Sequence, residues 1–132
     1  MNKKTWFLIA MLLLAGLILA ACAAPAAGES YKDKTATIVL EENPTTGYTW
    51  SVSVDNPLVI GLNSDKFYAS GDKNVVGAGG VHQYVFKAAG PGDAIITFDL
   101  GQQWDGGEKG NKILKYKVTV DENGKIASLM AM

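Results

Sequence analysis

Beyond residue 34 the chain alternates apolar and polar residues with a period of two, the pattern of strands that bury one face. Residues 35–40 alternate small polar with apolar side chains, and residues 48–54 put Tyr48, Trp50, Val52 and Val54 on one face. After Asn56-Pro57, the shorter runs 58–62 and 66–69 predict one bent pass or two small edge pieces. Residues 81–88 carry Tyr84 and Phe86 on one face. Ala94, Ile96, Phe98 and Leu100 alternate through the next strand, and Leu114, Tyr116, Val118 and Val120 through another. Gly90-Pro91-Gly92-Asp93 and Asp121-Glu122-Asn123-Gly124 are turn clusters, the second of which predicts a hairpin into residues 125–129. Roughly six to eight short strands with no helical period predict an all-β fold, an immunoglobulin-like antiparallel β-sandwich.

The N-terminus breaks this pattern. Lys3 and Lys4 precede an uncharged, mostly apolar run over residues 6–21, which ends in Leu19-Ala20-Ala21-Cys22 and then a small, proline-containing stretch to Gly28. A charged start, an apolar centre and small residues at the end make a signal peptide over residues 1–21. The run falls short of the roughly 20 residues that a spanning helix needs. Leu-Ala-Ala-Cys also looks like a prokaryotic lipobox, and that resemblance implies lipidation at Cys22. Residues 22–33 would then tether a domain over 34–132 to a prokaryotic cell membrane, outside the cytoplasm.

Composition narrows the function. Of the twelve lysines, Lys3 and Lys4 precede the cleavage point, so the mature chain carries ten against thirteen acids, and there is no arginine. That balance argues against nucleic-acid binding, which leans on clustered cations and arginine forks. Cys22 is the only cysteine, so an internal disulfide, a cysteine-based zinc site and a free catalytic thiol are all excluded. No metal or other cofactor is expected.

Three loops carry the candidate chemistry. In Asn43-Pro44-Thr45-Thr46-Gly47-Tyr48, Pro44 fixes one dihedral, Asn43 can bond its own turn, and Gly47 permits positive φ, so Thr45 and Thr46 are presented rigidly. Gly77-Ala78-Gly79-Gly80 lets backbone approach another surface closely. Gln102-Gln103-Trp104-Asp105-Gly106-Gly107 sets an aromatic in a glycine-rich loop, either a core plug or a binding anchor. An even number of strand passes separates these loops, so they are expected at one end of the sandwich, like the binding loops of an antibody domain.

These motifs, in this order, resemble the chagasin-type inhibitors of papain-like cysteine peptidases. That family carries Asn-Pro-Thr-Thr-Gly-Tyr/Phe, Gly-x-Gly-Gly and Arg-Pro-Trp; here the third motif keeps only Trp104, with Gln102-Gln103 in place of Arg-Pro. The resemblance implies a monomeric, reversible inhibitor whose partner is a papain-like cysteine peptidase. Thr45, Thr46 and Gly47 would lie over the catalytic cysteine, Gly77, Gly79 and Gly80 beside the nonprimed side of the cleft, and Trp104 against its primed side. The other reading is a surface lipoprotein that binds a glycan or protein through Trp104 and Tyr68.

Other residues have plainer roles. Tyr48 and Trp50 fall on the inward set of their strand and are expected in the core. His82, the only histidine, is read as structural or as a hydrogen-bonding residue at the rim. An enzyme would have to be built around His82, with no nucleophile motif beside it. Asp105 and Glu108 are too sparse for a calcium site. Lys109, Lys112, Lys115 and Lys117 read as a solvated strand face.

Overall fold

A computed structural model describes residues 24–70 and 78–132. Among the described residues eight strands form two antiparallel sheets, so the fold is the all-β, immunoglobulin-like sandwich that the alternation predicts. The strands are β1 (Gly28–Lys32), β2 (Thr35–Glu42), β3 (Thr49–Val54), β4 (Ile60–Ala69), β5 (Gly80–Ala88), β6 (Gly92–Gly101), β7 (Lys112–Val120) and β8 (Ile126–Ala131). One sheet has the order β1-β2-β5-β4 and the other β3-β6-β7-β8.

The period-two pattern becomes the core. Ala36, Ile38 and Leu40 of β2 and Tyr84 and Phe86 of β5 face Ala94, Ile96 and Phe98 of β6 and Tyr116, Val118 and Val120 of β7, all buried. Phe98 is the hub: its ring meets Trp50, Tyr84, Phe86 and Tyr116 edge-on at centroid distances of 6.4, 5.0, 6.3 and 5.9 Å. Edge-to-face contacts of this kind contribute about 0.5–1.5 kcal/mol each beyond simple burial. Because two of these rings stand on each sheet, Phe98 fixes how the sheets face one another.

Of the two forms open for the fourth pass the bent one is found, and one further element differs from expectation. After a turn through Leu58 and Val59, Ile60–Ala69 form one strand, β4, with a bulge between Leu62 and Ser64, which is the bent pass rather than two pieces. The stretch read as a tether contains β1, paired with β2 from Gly28 opposite Val39 to Lys32 opposite Thr35. All five β1 residues are exposed, so the strand is held by its ladder and leaves no burial pattern to read. Asp33, at φ 53°, makes the tight turn between the two strands. The signal peptide and Cys22 lie outside the described residues.

Strand direction brings three connections to one end. β2 runs up into residues 43–48, β3 descends, and β4 rises to the connection that ends at Gly79; β5 descends and β6 rises into residues 102–111. Between the first connection and the second, and again between the second and the third, the chain goes out and back.

Candidate functional site

The first loop is a single 3₁₀ turn, Pro44–Thr46, built by its own sequence. Pro44 supplies the fixed φ and needs no amide donor at the start of the turn. Asn43 caps the turn, its Oδ1 accepting from the Thr45 amide at 3.3 Å and the Thr45 hydroxyl at 2.6 Å. The Asn43 carbonyl accepts from the Thr46 amide at 3.1 Å and the Thr46 hydroxyl at 2.7 Å. Gly47 ends the turn at φ 81°, donating to the Pro44 carbonyl at 3.1 Å. Pro44, Thr45 and Thr46 therefore protrude into solvent on a backbone that its own bonds already hold.

Beneath this turn sits Glu42, a buried carboxylate. Its Oε2 accepts from the Trp50 amide at 2.8 Å, and its Oε1 lies 3.0 Å from His82 Nδ1. The Trp50 indole donates to the Glu41 carbonyl at 2.9 Å. Both ends of the turn are thus pinned, one on β2 and one on β3. His82 stacks on Tyr84 at 4.3 Å and reaches Asp65 Oδ2 at 2.8 Å with Nε2, which makes it the hydrogen-bonding rim residue of the sequence reading.

The second loop approaches the first closely enough to need glycine. A Cβ on Gly79 would lie 3.0 Å from the Glu42 carbonyl and 3.2 Å from Asn43 Cβ. One on Gly80 would stand 2.1 Å from the Tyr68 carbonyl, inside the β4 backbone. Ser70 closes the hairpin, its amide and hydroxyl donating to the Gly79 carbonyl at 3.0 and 2.6 Å. An open groove of about 450 Å³ runs between the loops, lined by Glu41, Glu42, Asn43, Ser70, Gly79 and Gly80 together with Val81.

The third loop crosses onto the first from the other side. Trp104 is 54% exposed, yet its ring edge covers Gly47, where an added Cβ would come within 3.0 Å of Cη2. Tyr48 donates its hydroxyl to Glu108 Oε2 at 2.6 Å. That bond raises the Tyr48 pKa above its ordinary value, with partial desolvation and the Glu108 charge acting in the same direction. From Gly79 through Asn43 and Gly47 to Trp104, the three loops form one continuous rim.

The family model for chagasin family peptidase inhibitors, I42, matches residues 30–120. The chain belongs to the chagasin family. Among solved structures, this chagasin-family protein is similar in fold to the cysteine protease inhibitor EhICP2 from Entamoeba histolytica, with a TM-score of 0.56. The two share 24% sequence identity, over 64% of this chain and 77% of that one. No curated protein matches it. The family is one of peptidase inhibitors, not enzymes.

In this chagasin-family protein Asn43, Pro44, Thr45, Thr46, Gly47, Gly79, Gly80 and Trp104 come together on the rim, while Gly77 lies outside the described residues. Tyr48 is a correction. It precedes β3 instead of continuing its inward face, and it is spent on the bond to Glu108. Trp50 does pack against the core. Lys109 is also more than a solvated lysine, since its ammonium donates to the Gln102 carbonyl. Glu42 carries no role in the sequence reading, and Glu108, weighed there only as a calcium ligand, instead accepts from Tyr48. The signal for Glu42 was two adjacent acids at the end of an apolar strand, one of which must face inward. Tyr68, the second aromatic of the glycan reading, has its ring under Lys66 Nζ at 4.8 Å. The described residues hold no cluster of three or more His, Cys, Asp or Glu suited to a metal ion.

Proposed function

We propose that the protein is a reversible, tight-binding inhibitor of papain-family cysteine peptidases that fills the active-site cleft with its three-loop rim. The observation that carries this is the contact of Trp104 with Gly47 beside a self-bonded Pro44–Thr46 turn. A surface assembled before binding leaves little ordering entropy to oppose association. The protruding turn is narrow enough to enter a cleft, and Thr45, Thr46 and Gly47 lie over the catalytic cysteine with no scissile bond in attack geometry. Gly79 and Gly80, with Gly77, run main chain against main chain along one side of the cleft, and Trp104 anchors the other. The similar Entamoeba protein is a cysteine protease inhibitor, which supports the choice of target class.

The same proposal places the protein outside the cytoplasm, held to a membrane by acyl chains on Cys22. Occlusion of the catalytic cysteine is tested by labelling. Papain pre-mixed with the full-length chain in mild detergent resists alkylation by iodoacetamide and recovers its reactivity on dilution. Alkylation at an unchanged rate, with the chain shown to be folded, refutes the proposal.

A further inference from the structure

Trp104 is an exposed aromatic in a loop with three glycines, and such a loop would ordinarily cost a binding anchor much of its advantage in lost flexibility. The two glutamines before it remove that cost. The Gln103 side-chain amide donates to the Thr49 carbonyl at 3.1 Å and to the Gly101 carbonyl at 3.2 Å. Thr49 and Gly101 are opposite each other at the end of the β3–β6 ladder, so one amide nitrogen spans both strands where they part into the two loops. Gln102 ties the outgoing limb to the returning one. Its amide donates to the Glu108 carbonyl at 2.6 Å, its Oε1 accepts from the Glu108 amide at 3.0 Å, and its carbonyl accepts from Lys109 Nζ. Glu108 in turn takes the Tyr48 hydroxyl, which closes the circuit on the first loop.

We propose that Gln103 is a positioning residue for inhibition: it holds Trp104 over Gly47 by clasping the ends of β3 and β6, with Gln102 and Lys109 bracing the loop's two limbs. The role rests on the inhibitor reading, and it needs no contact between Gln103 and the peptidase. It also accounts for a loop that keeps its tryptophan without the Arg-Pro pair, since side-chain hydrogen bonds here do the bracing.

The test joins a double-mutant cycle with a readout on the free protein. In the full-length chain, Gln103→Ala is expected to raise the inhibition constant against papain about tenfold, the loss expected from one to two hydrogen bonds. In a Trp104→Ala background the same change is expected to alter it less than about twofold, because Gln103 acts through Trp104. Gln103→Glu, of equal length but without the two donors, is expected to behave like Gln103→Ala. In chain labelled with 5-fluorotryptophan, the ¹⁹F resonance of Trp104, assigned with Trp104→Phe, is expected to shift in Gln103→Ala without peptidase present. Equal losses with and without Trp104, or an unmoved Trp104 resonance, overturn the proposal. If the unmodified protein fails to inhibit, the proposed function falls, and the ¹⁹F result alone then decides the positioning role.

Discussion

Glu42→Ala removes the one charged side chain buried among the described residues. The carboxylate takes the Trp50 amide at 2.8 Å and faces His82 Nδ1 at 3.0 Å, with only 3% of its side-chain surface exposed. Hydrogen bonds to an ionised acceptor contribute about 1.5–3 kcal/mol each, and an orphaned buried donor keeps its desolvation cost. Part of that loss is returned, because burying the carboxylate itself costs free energy and His82 retains Asp65 Oδ2 at 2.8 Å. The net expectation is a destabilisation of about 2–4 kcal/mol, a large share of the stability of a typical domain. Glu42→Gln separates charge from shape. Its oxygen can accept from Trp50 while its amide donates to a neutral Nδ1, so it is expected to lose only about 1 kcal/mol. Urea unfolding followed by circular dichroism measures both. A Glu42→Ala variant within about 0.5 kcal/mol of the parent, the range of an ordinary surface change, refutes the idea that this carboxylate pins the first loop.

Gly80→Ala drives a Cβ to 2.1 Å from the Tyr68 carbonyl, so urea unfolding is expected to show a loss of about 3 kcal/mol or more; Gly61→Ala, which meets nothing within 4 Å, is the tolerated control. Tyr48 ionises above its ordinary value because its hydroxyl donates a hydrogen bond to the Glu108 carboxylate, which favours the protonated phenol. The folded-state pKa is raised, so the stabilisation is full below the ordinary tyrosine value and is lost as pH rises through the folded one. Ultraviolet titration is expected to show one tyrosinate appearing at lower pH in Glu108→Gln than in the parent. β1 runs down from the loop end, with Gly28 opposite Val39, so the chain before Gly28 leaves toward the rim. An anchor at Cys22 would leave residues 22–27 to separate rim from membrane, at most about 20 Å when extended. Association with papain is accordingly expected to be slower for the vesicle-bound protein than for Cys22→Ser in solution, and equal rates refute that geometry.

Much of the sandwich was legible because burial on one face writes a period of two, and Ile38, Phe86, Phe98 and Val118 all fell where that period put them. β1 was not legible because an exposed edge strand adds nothing to the core. The three loops could be placed at one end by counting passes, without knowing which sheet held each strand. Their contacts could not be foreseen, since they depend on side chains that meet only once both sheets are formed. Tyr48 illustrates the limit. Its spacing from Trp50 matched the inward face, but the chain begins β3 only at Thr49, and a bond to Glu108 sixty residues away decides where the ring goes.

The decisive measurement is a titration of active-site-quantified papain with the folded, full-length protein, with trypsin as the serine-peptidase control. Stoichiometric, reversible loss of papain activity, weakened by Trp104→Ala while trypsin is untouched, is the predicted result. Full papain activity in the presence of excess folded protein would contradict the assignment of the rim as a cysteine-peptidase plug.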